Sequence, residues 1–116
     1  MESLELANRI TDIMVDKQGE DILVLDLQNV ATFTDYFVLC SGTSRRQLNA
    51  LQGAIREELK KGDVSLLAKN VEGDAETGWV LLDYNGVIVH LFSFDMRVFY
   101  DLEGLWKNAH VVVQIQ

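Results

Sequence analysis

Hydrophobic and polar positions follow one another along the chain in blocks that predict helices and strands in turn. Apolar residues at helical spacing predict a first helix over Ser3–Lys17, which Gly19 is expected to end. The runs Ile22–Leu27 and Tyr36–Cys40 are almost continuously apolar, which is typical of strands covered on both faces. The segment Gln28–Thr34 is expected to connect these two strands.

A second helix is predicted where a capping signal precedes a hydrophobic stripe. Ser44 is followed three positions later by Gln47, which is the pattern of a capping box. The sequence Lys60-Lys61-Gly62 is expected to end this helix, because it places positive charge at the negative end and a glycine beyond it. The stripe predicted to face the core consists of Leu48, Leu51, Ile55 and Leu59.

Four segments carry weaker patterns. Ser65–Lys69 is predicted to form a short edge strand, and the polar, glycine-bearing Glu72–Gly78 is predicted to form a loop. A short helix is predicted over Asp95–Leu102. The pattern of Val111–Ile115 fits either a last strand or a loose tail.

The strongest local signal is Asn85-Gly86 between the apolar runs Trp79–Tyr84 and Val87–Phe92. It predicts a β-hairpin, because both turn residues tolerate positive φ, and a two-residue turn fixes which side chains share a face. One face is apolar or aromatic throughout and is predicted to belong to the core: Val80, Leu82, Tyr84, Val87, Val89 and Leu91. The other face mixes large apolar groups with one acid and one histidine: Trp79, Leu81, Asp83, Ile88, His90 and Phe92.

Helices interspersed with strands and followed by a hairpin predict an α/β fold (mixed α+β), with a mixed central sheet flanked by helices. The chain has 116 residues, no proline and no glycine- or serine-rich tract that would mark a linker. We therefore expect one domain over residues 1–116. A domain of this length buries roughly two thirds of its unfolded surface, which suffices for one hydrophobic core.

The charge balance narrows the classes of partner. Lysine and arginine number 10 and aspartate and glutamate 18, so the net charge is −8. Such a chain is a poor candidate for binding bare nucleic-acid backbone and a better one for meeting a basic partner. Cys40 is the single cysteine, which favours a reducing compartment and therefore a cytoplasmic protein. We expect neither a membrane partner nor a signal peptide, because no apolar run approaches ~20 residues and the N-terminus is acidic.

The motifs searched for do not predict catalytic or metal-binding chemistry. The turn Ser41-Gly42-Thr43-Ser44 resembles a phosphate-binding turn, but no glycine-rich phosphate-loop pattern surrounds it. Nucleotidyltransferases with such a turn also need a pair of carboxylates on the next strand, whereas Asp74 and Glu76 lie in the predicted loop. The cysteine and the two histidines are too widely spaced to predict a zinc site. The turn is therefore interpreted as a helix cap, and no catalytic, cofactor-binding or metal-binding residue is expected.

Several motifs occur in an order and spacing that are specific when taken together, from the second predicted strand to Trp106. They are Thr34–Gln47, Glu72-Gly73, Trp79–Tyr84, Val87–Phe92, Arg97, Tyr100–Glu103 and Leu105-Trp106. This set resembles the ribosomal silencing factors, also called the Iojap family. The N-terminal helix and the tail are similar to that family only in character.

The resemblance implies a nucleotidyltransferase-like fold without its catalytic acids, and a non-enzymatic cytoplasmic protein that needs no cofactor. It also implies binding to the large ribosomal subunit through basic large-subunit ribosomal protein fourteen, without direct sequence-specific contact to nucleic acid. Occupying that protein would block the small subunit sterically and so repress translation. One departure is the turn Asn85-Gly86, where many members have Gly-Asp, so an acidic charge beside Asp83 is missing.

The second hairpin face is the predicted partner-binding surface, because aromatic anchors beside a few polar groups are typical of interface centres. Trp79 and Leu81 are expected to supply apolar area, and Asp83 to pair with a basic side chain. The surface is completed by Ile88, His90 and Phe92. Five secondary residues are expected to extend or brace this surface, and a purely structural role is equally open for them: Asp35, Tyr36, Arg97, Tyr100 and Glu103.

Three competing interpretations stay open at this level. A helix of the same chain could cover the second hairpin face and leave nothing for a partner. The chain could instead be a nucleotide-binding or nucleotidyltransferase-like enzyme that uses the Ser41-Gly42 turn. It could also be a homodimer or larger scaffold that self-associates through the hairpin face.

Overall fold

A computed structural model describes residues 2–62 and 66–116 of the chain. Its helices are α1 Ser3–Asp16, α2 Arg45–Lys61, α3 Phe94–Tyr100 and α4 Leu102–Leu105. Its strands are β1 Glu20–Asp26, β2 Tyr36–Gly42, β3 Asn70–Asp74, β4 Trp79–Asp83, β5 Val87–Ser93 and β6 His110–Ile115.

The strands of the described residues form one six-stranded sheet in the order β3-β4-β5-β2-β1-β6. Strands β2 and β5 run parallel, whereas the pairs β1–β2, β1–β6, β3–β4 and β4–β5 are antiparallel. Helices pack against both faces of this sheet. The predicted mixed sheet flanked by helices is confirmed.

The hairpin has the predicted register. Asn85 and Gly86 both have positive φ, 59° and 105°, as a two-residue turn requires. Trp79 lies opposite Phe92, and Asp83 lies opposite Ile88. All six side chains of the predicted core face are buried against the helices α1 and α2. This assignment is therefore also confirmed.

The first face of the sheet is covered by α1 and α2, whose predicted stripes are buried. Helix α1 ends at Asp16, and the left-handed residue beyond it is Gln18, not the predicted Gly19. Gly19 has a different constraint, because a Cβ placed there would collide with the Sγ of Cys40. Burial raises the pKa of that thiol to about 12, so Cys40 behaves as an apolar core residue.

The second face carries a smaller cluster, formed by alternate residues of β1, β2 and β5 under the short helices α3 and α4. Its buried members are Leu23, Leu25, Leu27, Phe37, Leu39, Phe92 and Leu102. Of the seven residues in α3, none is fully buried. The cover on this face is therefore thin, and that matters for the site described below.

Several sequence-based boundaries were wrong. The predicted loop Glu72–Gly78 includes most of β3, whose five residues are all exposed and therefore leave no hydrophobic pattern. Of the predicted strand Ser65–Lys69, Ser65 lies outside the described residues and 66–69 form no strand. The predicted helix Asp95–Leu102 corresponds to α3 and the first residue of α4. The two helices are separate because Asp101, which lies between them, adopts a left-handed φ of 44°.

The last segment is a strand, not a loose tail. Strand β6 pairs with β1 along almost its whole length, from His110 opposite Asp26 to Ile115 opposite Ile22. Among the helices that the structure describes, none has the length and apolar character needed to cross a membrane.

Candidate partner-binding surface

The second hairpin face is half covered by the chain itself. Trp79, Leu81, Asp83 and Ile88 are partly exposed. His90 and Phe92 are only 3% and 0% exposed, so in this structure neither side chain is accessible for the expected contact with a partner. The reason is tertiary, because Tyr100 of α3 and the rings of Phe37 and Trp79 pack over them.

Aromatic rings account for most of that cover. The Trp79 ring stacks on Phe92 with 5.2 Å between centroids, and the centroid of the tilted Tyr100 ring lies 4.3 Å from that of Trp79. The rings of Phe37 and His90 meet in a T-shaped arrangement with 4.6 Å between centroids. Offset and edge-on aromatic contacts of this kind each contribute about 0.5–1.5 kcal/mol beyond area burial. Trp79 is thus held in a stack of which one side is still partly exposed.

His90 serves that stack as a hydrogen-bond acceptor. The indole Nε1–H of Trp79 donates to His90 Nδ1 across 3.1 Å. Burial, and secondarily the positive charge of Arg97, lower the pKa of His90 from 6.5 to about 3. The imidazole is therefore neutral near pH 7, which leaves Nδ1 free to accept. Its Nε2 is buried and meets no partner among the described residues.

Arg97 braces the helices that cover this face. Its Nε donates to Glu103 Oε2 across 2.9 Å, and its Nη1 donates to Ser41 Oγ across 2.9 Å. The Arg97 side chain is only 10% exposed, and Ser41 is fully buried. These bonds tie α3 to α4 and to β2. The contacts therefore give Arg97 and Glu103 a bracing role.

The other secondary residues are divided between the two faces of the sheet. Tyr100 belongs to the aromatic stack around Trp79. Tyr36 is buried in the core under α1 and α2, on the opposite face. Asp35 accepts a hydrogen bond from the Ser3 hydroxyl at 2.7 Å and so fastens the start of α1. The structure does not bring Asp35 and Tyr36 to the Trp79 surface.

Exposed apolar side chains also occur on α3, the helix that carries Tyr100. Val98 is 79% exposed and Phe99 72%, and the Phe99 ring contacts Tyr100 with 5.0 Å between centroids. Sequence reasoning missed both residues. The available signal was the composition of α3, where apolar residues occupy more positions than one buried face can use. We define the apolar surface as Trp79, Leu81, Val98, Phe99 and Tyr100.

A small cavity and several acids lie beside the apolar surface. The cavity has a volume of about 200 Å³ and is lined by Glu72, Gly73, Thr77, Trp79, Leu81 and Tyr100. The Asp83 carboxylate caps the hairpin turn through one oxygen, Oδ1, which accepts from the Asn85 N–H across 2.9 Å. The rim of the apolar surface is therefore acidic, as Glu72 and Asp83 illustrate.

The Ser41–Ser44 turn is occupied by contacts within the chain. Ser44 Oγ accepts from the Gln47 N–H at 3.1 Å, which confirms the predicted helix cap. Gln47 Oε1 in turn accepts hydrogen bonds from the N–H and the hydroxyl of Thr43. Ser41 Oγ accepts a hydrogen bond from Arg97 Nη1. Within residues 2–62 and 66–116, no three His, Cys, Asp or Glu side chains come together in a way that could hold a metal ion.

Comparison with known proteins decides the family. Residues 1–116 match the family model RsfS, described as "Ribosomal silencing factor during starvation". This chain belongs to the RsfS family. The resemblance drawn from the motifs is thereby confirmed, and with it the link to ribosome silencing and translation regulation.

Curated relatives carry the same family name. Ribosomal silencing factor RsfS from Bacillus subtilis is 39% identical over 94 residues, which are 81% of this chain and 78% of that protein. Protein Iojap, chloroplastic, from Arabidopsis thaliana is 33% identical over 111 residues, 93% of this chain and 44% of that longer protein.

Solved structures similar to this RsfS chain have the same fold. A crystal structure of a protein from Chromobacterium violaceum has a TM-score of 0.84 at 31% identity and covers 92% of this chain and 88% of that chain. One from Bacillus halodurans has a TM-score of 0.75 at 31% identity and covers 95% of both chains.

Proposed function

We propose that this chain is a non-enzymatic ribosomal silencing factor that binds the large ribosomal subunit through basic ribosomal protein fourteen. In this proposal it occupies the subunit-joining face of that protein, blocks the small subunit sterically and represses translation. The observation that carries the proposal is the apolar surface on an acidic chain whose relatives are named ribosomal silencing factors. The same proposal places the protein wherever those ribosomes are, which we expect to be the cytoplasm.

The apolar surface has the composition of an interface centre. Tryptophan and tyrosine are enriched among residues whose truncation costs the most binding energy, and Trp79 and Tyr100 lie side by side here. Val98 and Phe99 are exposed on the adjoining helix α3. Burial of an exposed apolar side chain of this size contributes about 1.5–3 kcal/mol, so a few such residues supply most of a typical binding energy.

Charge supports a basic partner. The net charge of −8 and the acids at the rim of the apolar surface attract a positively charged protein and raise the rate of encounter. Asp83 uses one carboxylate oxygen in the hairpin turn, so its other oxygen is the one proposed to meet a basic side chain. Because rim charges act mainly on association rate, we expect binding to weaken at high salt.

The first experiment is co-sedimentation of the protein with isolated large subunits, followed by the joining of those subunits to small ones. Val98→Asp in α3 is the test variant, and Val15→Asp in α1 is its matched control. Val98 is 79% exposed and Val15 48%, and each lies on a helix, so both variants are expected to fold. Val98→Asp should lower affinity about tenfold or more, and Val15→Asp should leave it unchanged.

A second pair of variants tests the hairpin. Trp79→Ala should lower affinity by about 30-fold, the equivalent of about 2 kcal/mol, and Asp83→Arg should lower it further by reversing a charge. If a folded double variant still binds large subunits and still prevents their joining, the hairpin has no part in the interface. If Val98→Asp and Val15→Asp bind large subunits equally well, α3 likewise has no part in the interface.

The enzymatic and self-association alternatives have their own measurements. Titration calorimetry with nucleotide and Mg²⁺ should give no heat above background, because the Ser41–Ser44 turn is engaged with Arg97 and Gln47. Turnover of any nucleotide by the purified protein would overturn the non-enzymatic proposal. Sedimentation at several concentrations, with and without the ribosomal protein, tests whether a homodimer uses the same surface.

A further inference from the structure

Within the apolar surface, Trp79 is oriented both by neighbouring aromatic rings and by a side-chain hydrogen bond. It lies on β4, directly opposite Phe92 on β5, and the two rings stack at 24° between planes. The Tyr100 ring, whose centroid lies 4.3 Å from that of Trp79, restricts the indole further. Stacking of this kind limits the plane of an indole, but it does not by itself determine which edge of the ring points inward.

A single polar contact distinguishes the two edges of that ring. The indole Nε1–H donates to His90 Nδ1 across 3.1 Å. His90 lies opposite Leu81 in the hairpin, and it is therefore the diagonal neighbour of Trp79 on the same face of the sheet. If the indole were turned over, its N–H would leave this acceptor, and a buried imidazole nitrogen would lose its partner.

The surroundings of His90 favour its role as acceptor. The ring is 3% exposed and is enclosed by Phe37, Phe92 and Trp79, and the positive charge of Arg97 opposes a second positive charge there. The imidazole is therefore neutral near pH 7, and since Nδ1 accepts, the proton resides on Nε2. Assigning this tautomer from the hydrogen bond is what allows an experimental check.

We infer that His90 is a positioning residue: its Nδ1 fixes the orientation of the Trp79 indole and thereby the edge that Trp79 presents to a partner. The second part of this inference rests on the proposed function, whereas the first part concerns the free protein alone. His90 itself makes no contact with the partner. It lies buried beneath Trp79 and acts on the partner-binding surface only through the hydrogen bond to that residue.

The test uses nuclear magnetic resonance of the free protein and then binding to large subunits. Trp106, the second of the two tryptophans, is the internal control. In the wild type, we expect an unprotonated Nδ1 at His90 and slow solvent exchange of the Trp79 indole N–H. His90→Asn retains an acceptor near the position of Nδ1, and His90→Leu has a similar shape without one.

The expected result separates these two variants. In His90→Leu the Trp79 indole resonance should move and its N–H should exchange with solvent at least tenfold faster, whereas the exchange rate of the Trp106 indole N–H should stay the same. His90→Asn should stay near the wild type. Affinity for large subunits should fall about tenfold in His90→Leu and less than threefold in His90→Asn. In a Trp79→Phe background, which lacks the N–H, the two His90 variants should bind equally.

Three outcomes would overturn the inference. A protonated Nδ1 in the wild type would do so without any variant, even if His90→Leu failed to fold. An unchanged Trp79 resonance in folded His90→Leu would show that the ring is positioned without His90. Unequal binding by the two variants in the Trp79→Phe background would show that His90 acts by another route. If Trp79→Ala binds normally, the proposed surface fails, and the resonance data still decide the positioning role.

Discussion

Arg97 offers the sharpest test of how the cover over the second sheet face is held. Its guanidinium joins three elements, because Nε donates to Glu103 in α4 and Nη1 donates to Ser41 in β2, each across 2.9 Å. We predict that Arg97→Met destabilises the protein by about 2–4 kcal/mol. Methionine keeps most of the apolar stem, so the loss comes from the two polar contacts.

The magnitude follows from burial at each end of the contact. Ser41 is fully buried, so its hydroxyl would lose its partner at a cost of about 1–3 kcal/mol. Glu103 is 37% exposed, so solvent screens its ion pair, and that part contributes only about 1 kcal/mol. The other carboxylate oxygen of Glu103, Oε1, is already buried without a partner among the described residues. We therefore expect no new contact of Glu103 to compensate for the lost ion pair.

The assay is urea unfolding at pH 7, with Arg45→Met as the matched control. Arg45 also pairs with a glutamate, Glu76, but those side chains are 70% and 80% exposed. Arg45→Met should therefore change stability by less than about 0.5 kcal/mol. If the two variants have the same free energy of unfolding within error, the argument from burial is wrong and α3 is held in place by apolar packing alone.

Three further predictions concern His90, Gly19 and Ser44. The pKa of His90 is about 3 in the folded chain and 6.5 ordinarily, so between these pH values the unfolded chain binds one more proton than the folded chain. The free energy of unfolding should therefore fall as the pH drops from 6.5 toward 3, by at most about 1.4 kcal/mol per pH unit. Urea unfolding from pH 7 to 4 should show a shallower fall in His90→Asn, and identical slopes would contradict the buried neutral imidazole. Gly19→Ala should destabilise by about 1–3 kcal/mol, because the new methyl group meets Cys40 Sγ, and Cys40→Ala should recover part of the loss in thermal unfolding. Ser44→Ala should cost about 1 kcal/mol through loss of the bond from the Gln47 N–H, and an unchanged melting temperature would count against the cap.

Local patterns predicted the elements that have a buried face. The stripes of α1 and α2 and the runs of β1 and β2 follow hydrophobic periodicity, and each is buried in the structure. Strand β3 could not be found in this way, because all five of its residues are exposed and its place in the sheet depends on backbone pairing with β4. Hydropathy detects burial of side chains, so a strand without buried side chains is invisible to it.

The candidate site was only partly predictable. The alternation about Asn85-Gly86 placed Trp79, Leu81 and Asp83 on one face, and the observed register agrees. The same reasoning placed His90 there as a partner contact, but Trp79 and the aromatic side chains of other elements bury it. Val98 and Phe99 were not predicted as part of the surface, because a helix of seven residues is too short for its hydrophobic periodicity to distinguish a covered face from an exposed one.

The amino-acid order by itself determined the hairpin register, the helix cap at Ser44 and the family motifs, because each depends on neighbours within a few residues or on one turn. Only the tertiary structure decided which side chains on the second hairpin face can be reached. That depends on where α3 lies over the sheet, and the position of α3 is set by contacts between residues far apart in sequence, such as Arg97 with Ser41. Alternation assigns a side chain to a face, whereas exposure is a property of everything packed upon that face.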